Sequence, residues 1–268
     1  MHKPENTLEI SLVGGPTAVI EIAGLRILTD PTFDPPGDYP NPQGPKLTKT
    51  HGPALTQEQV MPIDVVLASH EHPDNLDHAG REFISTAHRV YTTHEVAKQF
   101  DDNVMGLAEY QAVEVPLPGG GTMTITATPA KHGPDGVWQR IGPVLGFVLT
   151  ADGLPTIYVS GDNSSLEVIE EVENELGPID VAVLFVGGPS FAGLGDGAYL
   201  TLSNELALEV AQRILPDAVI VPVHQDSWMH FTQNAAGIRA LFDGEGLCSN
   251  IVVLEPGETA KIPFPRGR

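Results

Sequence analysis

The sequence predicts an α+β protein in which two β-sheets pack face to face and helices cover their outer faces. Two observations lead to this fold class. Short β-type runs open the chain and are followed by a mixture of strand and helix patterns. This order, strands and then mixed strands and helices, occurs twice. Because the 268 residues contain no internal repeat, low-complexity tract or linker, residues 1–268 are expected to form a single domain.

The first part of the chain is predicted to contain three strands and a long loop. Strands are expected at 8–13, 17–22 and 26–29, because β-type runs there are separated by glycine-containing turns. The stretch 30–53 contains Asp34-Pro35-Pro36-Gly37 and Pro40-Asn41-Pro42, so it is predicted to be irregular. A loop of this length in a compact protein is usually functional or mobile, and it is a candidate rim of a substrate pocket.

The remaining elements follow from apolar runs and helix caps. Further strands are expected at 65–69, 89–91, 111–115, 123–128, 144–149, 156–160, 181–185, 218–223, 251–254 and 259–262. Helices are expected at 75–85, 164–176, 203–215 and near 233–242, with Ser164 or Ser165 capping the second and Ser203 the third. The glycine-rich loop 187–198 is a second candidate rim of the pocket.

Composition narrows the classes of function. The formal net charge of −21, from 14 basic and 35 acidic residues, would repel a polyanion, so a small-molecule substrate is favoured over a nucleic acid. No segment approaches the roughly 20 apolar residues of a membrane span. The first seven residues lack the apolar core of a signal peptide, and the protein is therefore expected to be cytoplasmic. Since Cys248 is the only cysteine, any metal must be bound by histidine and carboxylate.

The strongest chemical signal is His70-x-His72-x-Asp74, directly after an apolar strand. Alternate residues of an extended turn can converge on one point, and imidazole and carboxylate are the ligands of Zn²⁺ or Mn²⁺. The alternative is a polar loop before a helix that happens to contain histidines. Two histidines flanking one position and followed by an aspartate favour the metal site.

Three further residues follow predicted strands in the same way. His132, Asp162 and His224 each come directly after a β-type run, and strand ends that share a sheet edge lie close together. Taken singly, each would be interpreted as a cap or turn residue. Taken together, they predict a site for one or two metal ions with these ligands: His70, His72, Asp74, His132, Asp162 and His224.

With these residues, the sequence resembles the metallo-β-lactamase superfamily over nearly the whole chain. The opening, residues 8–30, resembles the branch of ascorbate-6-phosphate lactonase-like hydrolases. The resemblance implies a four-layer αββα sandwich with the metals at one edge of the two sheets. It implies one ion on His70, His72 and His132, and another on Asp74, residue 75 and His224, with Asp162 bridging them. Relatives often assemble, so a homo-oligomer is one possible state.

Residue 75 departs from the family pattern, because Asn75 stands where the family has a histidine ligand of the second metal. An amide oxygen is a weaker ligand than imidazole, so the second ion is expected to bind weakly, or to be a harder ion such as Mn²⁺ or Mg²⁺. His78 and His230 are candidates to replace the missing ligand, and the alternative for both is a position on the polar surface or a hydrogen bond to another ligand. Asp77 is expected to orient a ligand histidine.

This set of residues predicts a hydrolase in which a metal-activated water attacks a small ester, lactone or phosphodiester. Asp74 would orient the hydroxide and accept its proton, and His224 would hold the second metal or polarise the substrate oxygen. A covalent mechanism is disfavoured, because the chain has no Gly-x-Ser-x-Gly motif. Three alternatives stay open: a nuclease, a non-catalytic metal- or metabolite-binding protein, and a redox protein with a di-iron site.

Several side chains near the predicted ligands are candidates for substrate contacts. Lys131 and Arg140 flank the segment of the third histidine and would either meet a phosphate or be solvated surface charges. Trp228, Met229 and Phe231 follow the last histidine and would form either a pocket wall or part of the core.

Overall fold

The computed structural model of the protein describes residues 7–40 and 45–264, and two large sheets form its centre. Strands are numbered in chain order. The first sheet contains, from one edge to the other, β15 (Thr259–Pro263), β1 (Thr7–Gly14), β2 (Thr17–Ile22), β3 (Leu25–Thr29), β6 (Val65–Leu67), β7 (Val90–Thr93) and β8 (Val104–Leu107). The second contains β14 (Val219–Val223), β13 (Val181–Phe185), β12 (Ile157–Val159), β11 (Leu145–Thr150), β10 (Thr122–Pro129) and β9 (Ala112–Pro116).

Helices cover the outer face of each sheet. The apolar side chains of α1 (Gln57–Val60), α2 (His78–Thr86) and α3 (His94–Ala97) pack on the first sheet. The second sheet is covered by α5 (Leu166–Leu176), α6 (Asn204–Glu209), the π-helical turn Val210–Ile214 and α7 (Ala235–Gly244). The short helix α4 (Trp138–Ile141) and two 3₁₀ turns, Gly195–Gly197 and Cys248–Asn250, lie in connections. None of the helices in the described ranges is long and apolar enough to cross a membrane.

The main core lies between the two sheets. Alternate residues of β1, such as Leu8 and Ile10, point inward and belong to the same buried cluster as Ile125 of β10 and Phe147 of β11. This follows from the two-residue period of a strand, which places every second side chain on one face. The four-layer αββα sandwich expected from the sequence is therefore confirmed.

Most predicted elements are present, with ends displaced by a few residues, and two predictions were wrong. The stretch 30–53 is not wholly irregular, because β4 (Gly37–Tyr39) and β5 (Leu47–Lys49) pair as an antiparallel hairpin. Part of its Pro40-Asn41-Pro42 motif lies outside the described residues. Within the described ranges, the predicted strand 251–254 makes only a single bridge, between Ile251 and Ile220.

Strand direction determines where side chains can meet. β10 is antiparallel to β11, and β11 to β12, so β10 runs in the same direction as β12. The strands β13 and β14 are parallel to β12. In the first sheet, β3 and β6 are parallel. The carboxyl ends of β10, β12 and β14 therefore lie at one edge of the second sheet, and each is followed by a predicted ligand.

Candidate metal centre

Three imidazoles meet where β6 and β10 end. Nε2 of His70 lies 2.9 Å from Nδ1 of His72, and Nε2 of His132 lies 3.2 Å from the same Nδ1. Three ring nitrogens turned toward one point cannot all be satisfied by hydrogen bonds to one another, because a neutral imidazole carries one N–H. A tetrahedral ion with metal–nitrogen bonds of about 2.0–2.1 Å would place its ligands about 3.4 Å apart, close to this spacing.

A second group lies beside the first and contains both carboxylates. Nε2 of His224 lies 3.7 Å from Oδ2 of Asp74 and 3.6 Å from Oδ1 of Asp162. The other oxygen of Asp162, Oδ2, lies 3.4 Å from Nε2 of His132 and 3.8 Å from Nε2 of His70. Asp162 therefore presents one oxygen to each group, which is the geometry of a bridging carboxylate.

Two glycines allow the backbone to place these side chains. Gly161, directly before Asp162, has φ +57°, and a Cβ there would come within 2.4 Å of the carbonyl oxygen of Leu145. A Cβ on Gly187 would lie 2.2 Å from the carbonyl oxygen of His224. Both positions therefore require glycine for the strand ends to approach each other.

Neighbouring groups fix the tautomers of two histidines. Nδ1 of His132 donates to the carbonyl oxygen of Leu200 at 2.7 Å, and Nδ1 of His70 lies 2.9 Å from Oγ of Ser69. That serine donates its backbone N–H and its hydroxyl to Oδ1 of Asp30, at 2.8 and 2.7 Å, so its oxygen accepts from His70. With their Nδ1 protons used in this way, both rings present an unprotonated Nε2 to the first group.

Burial holds two histidines of the first group, His70 and His72, in their neutral form. It lowers the pKa of His70 well below its ordinary value, and the charges of His72 and His132 act in the same direction. Burial also lowers the pKa of His72, again with a contribution from His132. Neutral imidazole is the form that binds a metal, so these rings are ready to do so near neutral pH.

The second group behaves as a set of paired charges. Burial alone would raise the pKa of Asp74, but the adjacent rings of His224 and His230 outweigh it and hold that pKa well below its usual range. For His224, burial lowers the pKa, whereas the carboxylates of Asp162 and Asp74 raise it, and the net shift is upward. Opposite charges in this group therefore stabilise each other.

The buried polar atoms of the centre fit a divalent cation. Oδ2 of Asp162 and both ring nitrogens of His224 are buried and have no hydrogen-bond partner among the residues that the structure describes. A buried polar group without a partner costs about 1–3 kcal/mol. A cation between the two groups would satisfy the carboxylate oxygen and Nε2 together, and nitrogen and oxygen donors suit Zn²⁺ or Mn²⁺.

The structure brings all six predicted ligands together at this edge of the sandwich. They form two clusters, His70 with His72 and His132, and Asp74 with Asp162 and His224, in each of which the candidate atoms lie within 4.8 Å of one another. Asn75 is fully buried beside the second cluster, and its Nδ2 donates to Oδ1 of Asp162 at 3.2 Å.

The two histidines considered as replacements for the missing ligand have different positions. His78 is exposed on α2, and its ring stacks on Tyr39 with the ring centres 5.4 Å apart. Nε2 of His230 lies 2.9 Å from Oδ2 of Asp74, and its ring lines the cleft above the centre. Of the two candidates, only His230 is at the centre.

The prediction that Asp77 orients a ligand histidine was wrong. Its Oδ1 accepts from the backbone N–H groups of Gly80 and Phe33, at 2.8 and 3.0 Å, so it is the N-cap of α2. Its Oδ2 accepts from the N–H of Asp34 at 2.7 Å and from Nζ of Lys49 at 2.8 Å. With four donors on its two oxygens, the carboxylate is not free to bind a ligand histidine. It connects the start of α2 to the β4–β5 hairpin.

Asp30 and Ser69 hold the centre together but were not predicted to do so. Each follows a strand of the parallel pair β3 and β6, so the same strand-end argument that found the ligands applied to them. Their positions after strands could be predicted from the sequence. A single aspartate or serine is common at the end of a strand, however, so neither residue stood out as part of a site.

A cleft of about 300 Å³ opens above the centre. Both predicted rims contribute to it, the first through Pro45 and Leu47 and the second through Pro189, Phe191 and Leu194. The other residues found to line it are His72, Pro73, Asp74, His132, Arg140, Ile141, Leu200 and His230.

Of the five residues considered as substrate contacts, one lines the cleft and four lie elsewhere. Arg140 lines the cleft, whereas Lys131 lines a separate depression of the surface. Trp228 is buried, Met229 is 68% exposed and Phe231 is partly buried, and none of the three is among the described residues that line the cleft. The pocket-wall interpretation of these three residues is therefore not supported, and Trp228 packs in the interior.

Comparisons with known proteins agree with this geometry. A family model described as a beta-lactamase superfamily domain matches residues 25–234. A UPF0173 metal-dependent hydrolase of Pyrococcus abyssi is 25% identical over 218 residues, which cover 81% of this chain and 90% of the relative.

Two solved structures share the fold. A possible metal-dependent hydrolase from Veillonella parvula has a TM-score of 0.82 and 19% identity and covers 96% of this chain and 100% of its own. An isothiocyanate hydrolase from Delia radicum gut bacteria has a TM-score of 0.78 and 21% identity, over 94% of this chain and 98% of its own. With its strand-end clusters of histidine and carboxylate, the chain belongs to the beta-lactamase superfamily and is one of its metal-dependent hydrolases.

Proposed function

We propose that this chain hydrolyses a small ester, lactone or phosphodiester at a centre that holds Zn²⁺ or Mn²⁺. The observation that carries the proposal is the position of Asp162, whose two oxygens face the two ligand groups. His70, His72 and His132 would hold one ion, and Asp74 and His224 the other. When bound, the metal lowers the pKa of water toward neutrality and polarises a carbonyl or phosphoryl oxygen.

Asp74 and His224 take different parts in this proposal. Asp74 lines the cleft and has a pKa well below its usual range, since the flanking histidine rings outweigh the effect of burial, so it is ionised at neutral pH. It would orient the attacking water and hold the proton that the water loses. His224 is fully buried, so we assign it to holding the second ion rather than to contact with the substrate.

The cleft favours a small substrate with an apolar body and one anionic group. Its volume of about 300 Å³ is at the lower end of ligand pockets. Phe191, Leu194 and Leu200 form apolar walls, and Arg140 is the one lysine or arginine among the described residues that line it. A guanidinium at the rim would bind a carboxylate or phosphate of the substrate. A cleft with a single basic residue, in a chain of net charge −21, argues against a nuclease.

The presence of Asn75 supports a second candidate function, in which the protein binds a metal or metabolite without hydrolysing it. The amide leaves the second group without the histidine of the family pattern, and a weakly held second ion would limit catalysis.

A turnover screen with the metal-loaded protein distinguishes the two candidates. The panel contains simple aryl esters, lactones and bis(p-nitrophenyl) phosphate, each with Zn²⁺ and with Mn²⁺. Hydrolysis that is abolished in His72→Ala supports the hydrolase. The Arg140→Ala variant is expected to raise KM for anionic substrates about tenfold, the loss of roughly one charge-assisted hydrogen bond. Lys131→Ala, a change outside the cleft, is the matched control. Full metal loading with no turnover across the panel would favour the binding protein.

A further inference from the structure

We propose that His230 supplies the imidazole that Asn75 does not, and that it is a ligand of the second ion together with Asp74, Asp162 and His224. This inference rests on the proposed function, since it concerns the same metal centre. It goes beyond the family pattern, because the new ligand comes from the segment after β14 and not from the motif after β6.

Asn75 is unsuited to the ligand position because of the way its amide faces. Nδ2 donates to Oδ1 of Asp162 at 3.2 Å, and Oδ1 of the amide is buried without a partner among the described residues. Turning the amide over would place its oxygen against the carboxylate oxygen, which is repulsive. The donor therefore stays on the side of Asp162, and an amide N–H₂ group does not bind a metal.

The spacing of His230 matches that of the first group. Nε2 of His230 lies 2.9 Å from Oδ2 of Asp74. In the first group, the corresponding separations between ring nitrogens are 2.9 and 3.2 Å. All of these separations are shorter than the about 3.4 Å between two donors of one tetrahedral ion, so the side chains would move slightly apart when an ion binds. The cluster of Asp74, Asp162 and His224 does not include His230, so its ring would also move toward Asp162 and His224. With this nitrogen included, the second group gains the imidazole that the amide does not provide.

Aromatic rings hold His230 in this orientation. Phe191 stacks on it with ring centres 5.4 Å apart, and Phe231 lies against it at 4.6 Å. Trp228 packs on a further side, at 6.1 Å. A ring packed in this way loses little freedom when it binds a metal, so the position is preorganised.

The backbone on both sides of His230 is also fixed. The N–H of Met229 donates to the carbonyl oxygen of Thr48 at 3.0 Å, in the β4–β5 hairpin. The N–H of Thr232 donates to the carbonyl oxygen of Gly187 at 3.0 Å. The segment therefore crosses the centre between two anchored points, one from each predicted rim of the cleft.

Metal stoichiometry tests the inference without reference to activity. Wild-type protein, His230→Ala, His230→Gln and Asn75→Ala are incubated with Zn²⁺, desalted and measured by elemental mass spectrometry, and Zn²⁺ binding is titrated by calorimetry. We expect two ions per chain in the wild type and in Asn75→Ala, and one in His230→Ala. The second dissociation constant should rise at least about 100-fold, more than is typical for loss of an outer partner. His78→Ala, at an exposed histidine, is the matched control and should keep two ions.

The glutamine variant distinguishes a ligand from a hydrogen-bond donor. Glutamine retains an N–H for Asp74 but is a poor ligand, so His230→Gln should also bind one ion. Two ions in His230→Gln, or in a folded His230→Ala, would overturn the inference while leaving the proposed function intact. One ion in the wild type would overturn it too, and so would loss of the second ion in Asn75→Ala. Absence of metal from the wild type would instead overturn the proposed function itself.

Discussion

Lys49 and Asp77 form an ion pair that is almost completely buried, with Nζ 2.8 Å from Oδ2 and side chains 1% and 0% exposed. The pair joins the end of the β4–β5 hairpin to the start of α2, directly after the segment that carries the first metal motif. It therefore connects one rim of the cleft to the scaffold of the centre.

Removing one partner of this pair should strongly destabilise the fold. Lys49→Met leaves the Asp77 carboxylate buried without its cation, and we expect a loss of about 3–5 kcal/mol in the free energy of unfolding. Chemical denaturation measures it. Lys46→Met is the matched control, because its pair with Asp38 is more than half exposed and should change the free energy of unfolding little. Equal effects in the two variants would contradict the importance of the buried pair.

Removal of metal should lower the melting temperature. In the metal-free protein, Oδ2 of Asp162 and the ring nitrogens of His224 stay buried without a partner among the described residues. Bound metal adds about 2.7 kcal/mol to the free energy of unfolding when its free concentration is 100 times the dissociation constant. Thermal unfolding is followed with and without a chelator. In His132→Ala, which lacks one ligand of the first group, the difference should shrink. Identical unfolding of the wild type under both conditions would count against the metal centre.

The contribution of Asp30 to the stability of the metal-free protein should fall as pH rises from about 4 to 8. Burial raises the pKa of Asp30 to about 8, against the hydrogen bonds from Ser69, which lower it. The folded state thus keeps a proton that the unfolded state has released, so the contribution of Asp30 is complete below pH 4 and is lost as the pH approaches 8. Asp30→Asn keeps the oxygen that accepts from Ser69 and should flatten this part of the profile.

Melting temperatures at pH 4 to 9 for both proteins check this expectation. Glu82→Gln, at an exposed position of α2, serves as the control and should leave the profile unchanged. Parallel profiles of the wild type and Asp30→Asn would mean that another group carries the dependence.

A methyl group at position 187 should disturb the centre. The added Cβ of Gly187→Ala would lie 2.2 Å from the carbonyl oxygen of His224, so the backbone of one strand end must move. We expect a loss of about 1–3 kcal/mol in stability and weaker Zn²⁺ binding. Gly244→Ala is the control, because a Cβ there meets no atom of the described residues within 4 Å. A metal affinity equal to that of the wild type would show that the strand end tolerates the shift.

The ligand clusters could be predicted from the sequence because they depend on strand direction. His132, Asp162 and His224 each follow a strand of one parallel set, and that rule needs only the order of the strands. Asp77 also had a local signal, since an aspartate before a helix is a common N-cap, but its position beside the metal motif favoured the wrong interpretation.

The hairpin and the position of His230 depend on contacts that are distant in the chain. The β4–β5 strands are three residues each and have no alternating pattern, and the buried Lys49–Asp77 pair and a bridge from Lys49 to Trp228 hold them in place. The apolar run 251–254 looks like a strand, yet Val253 and Leu254 are buried with only Ile251 paired to the sheet. The run is therefore apolar because its side chains are buried, and not because it is a regular strand.

The carboxyl ends of the sheet strands position most of the candidate ligands, whereas two separate segments, the β4–β5 hairpin and the loop 187–198, supply much of the cleft wall. These two parts of the chain can therefore diverge independently. Mutations in 187–198 or around Leu47 would change which molecule is accepted while the hydrolytic residues stay the same. A lineage with this architecture could acquire new substrates gradually, without passing through an ancestor that had lost its metal.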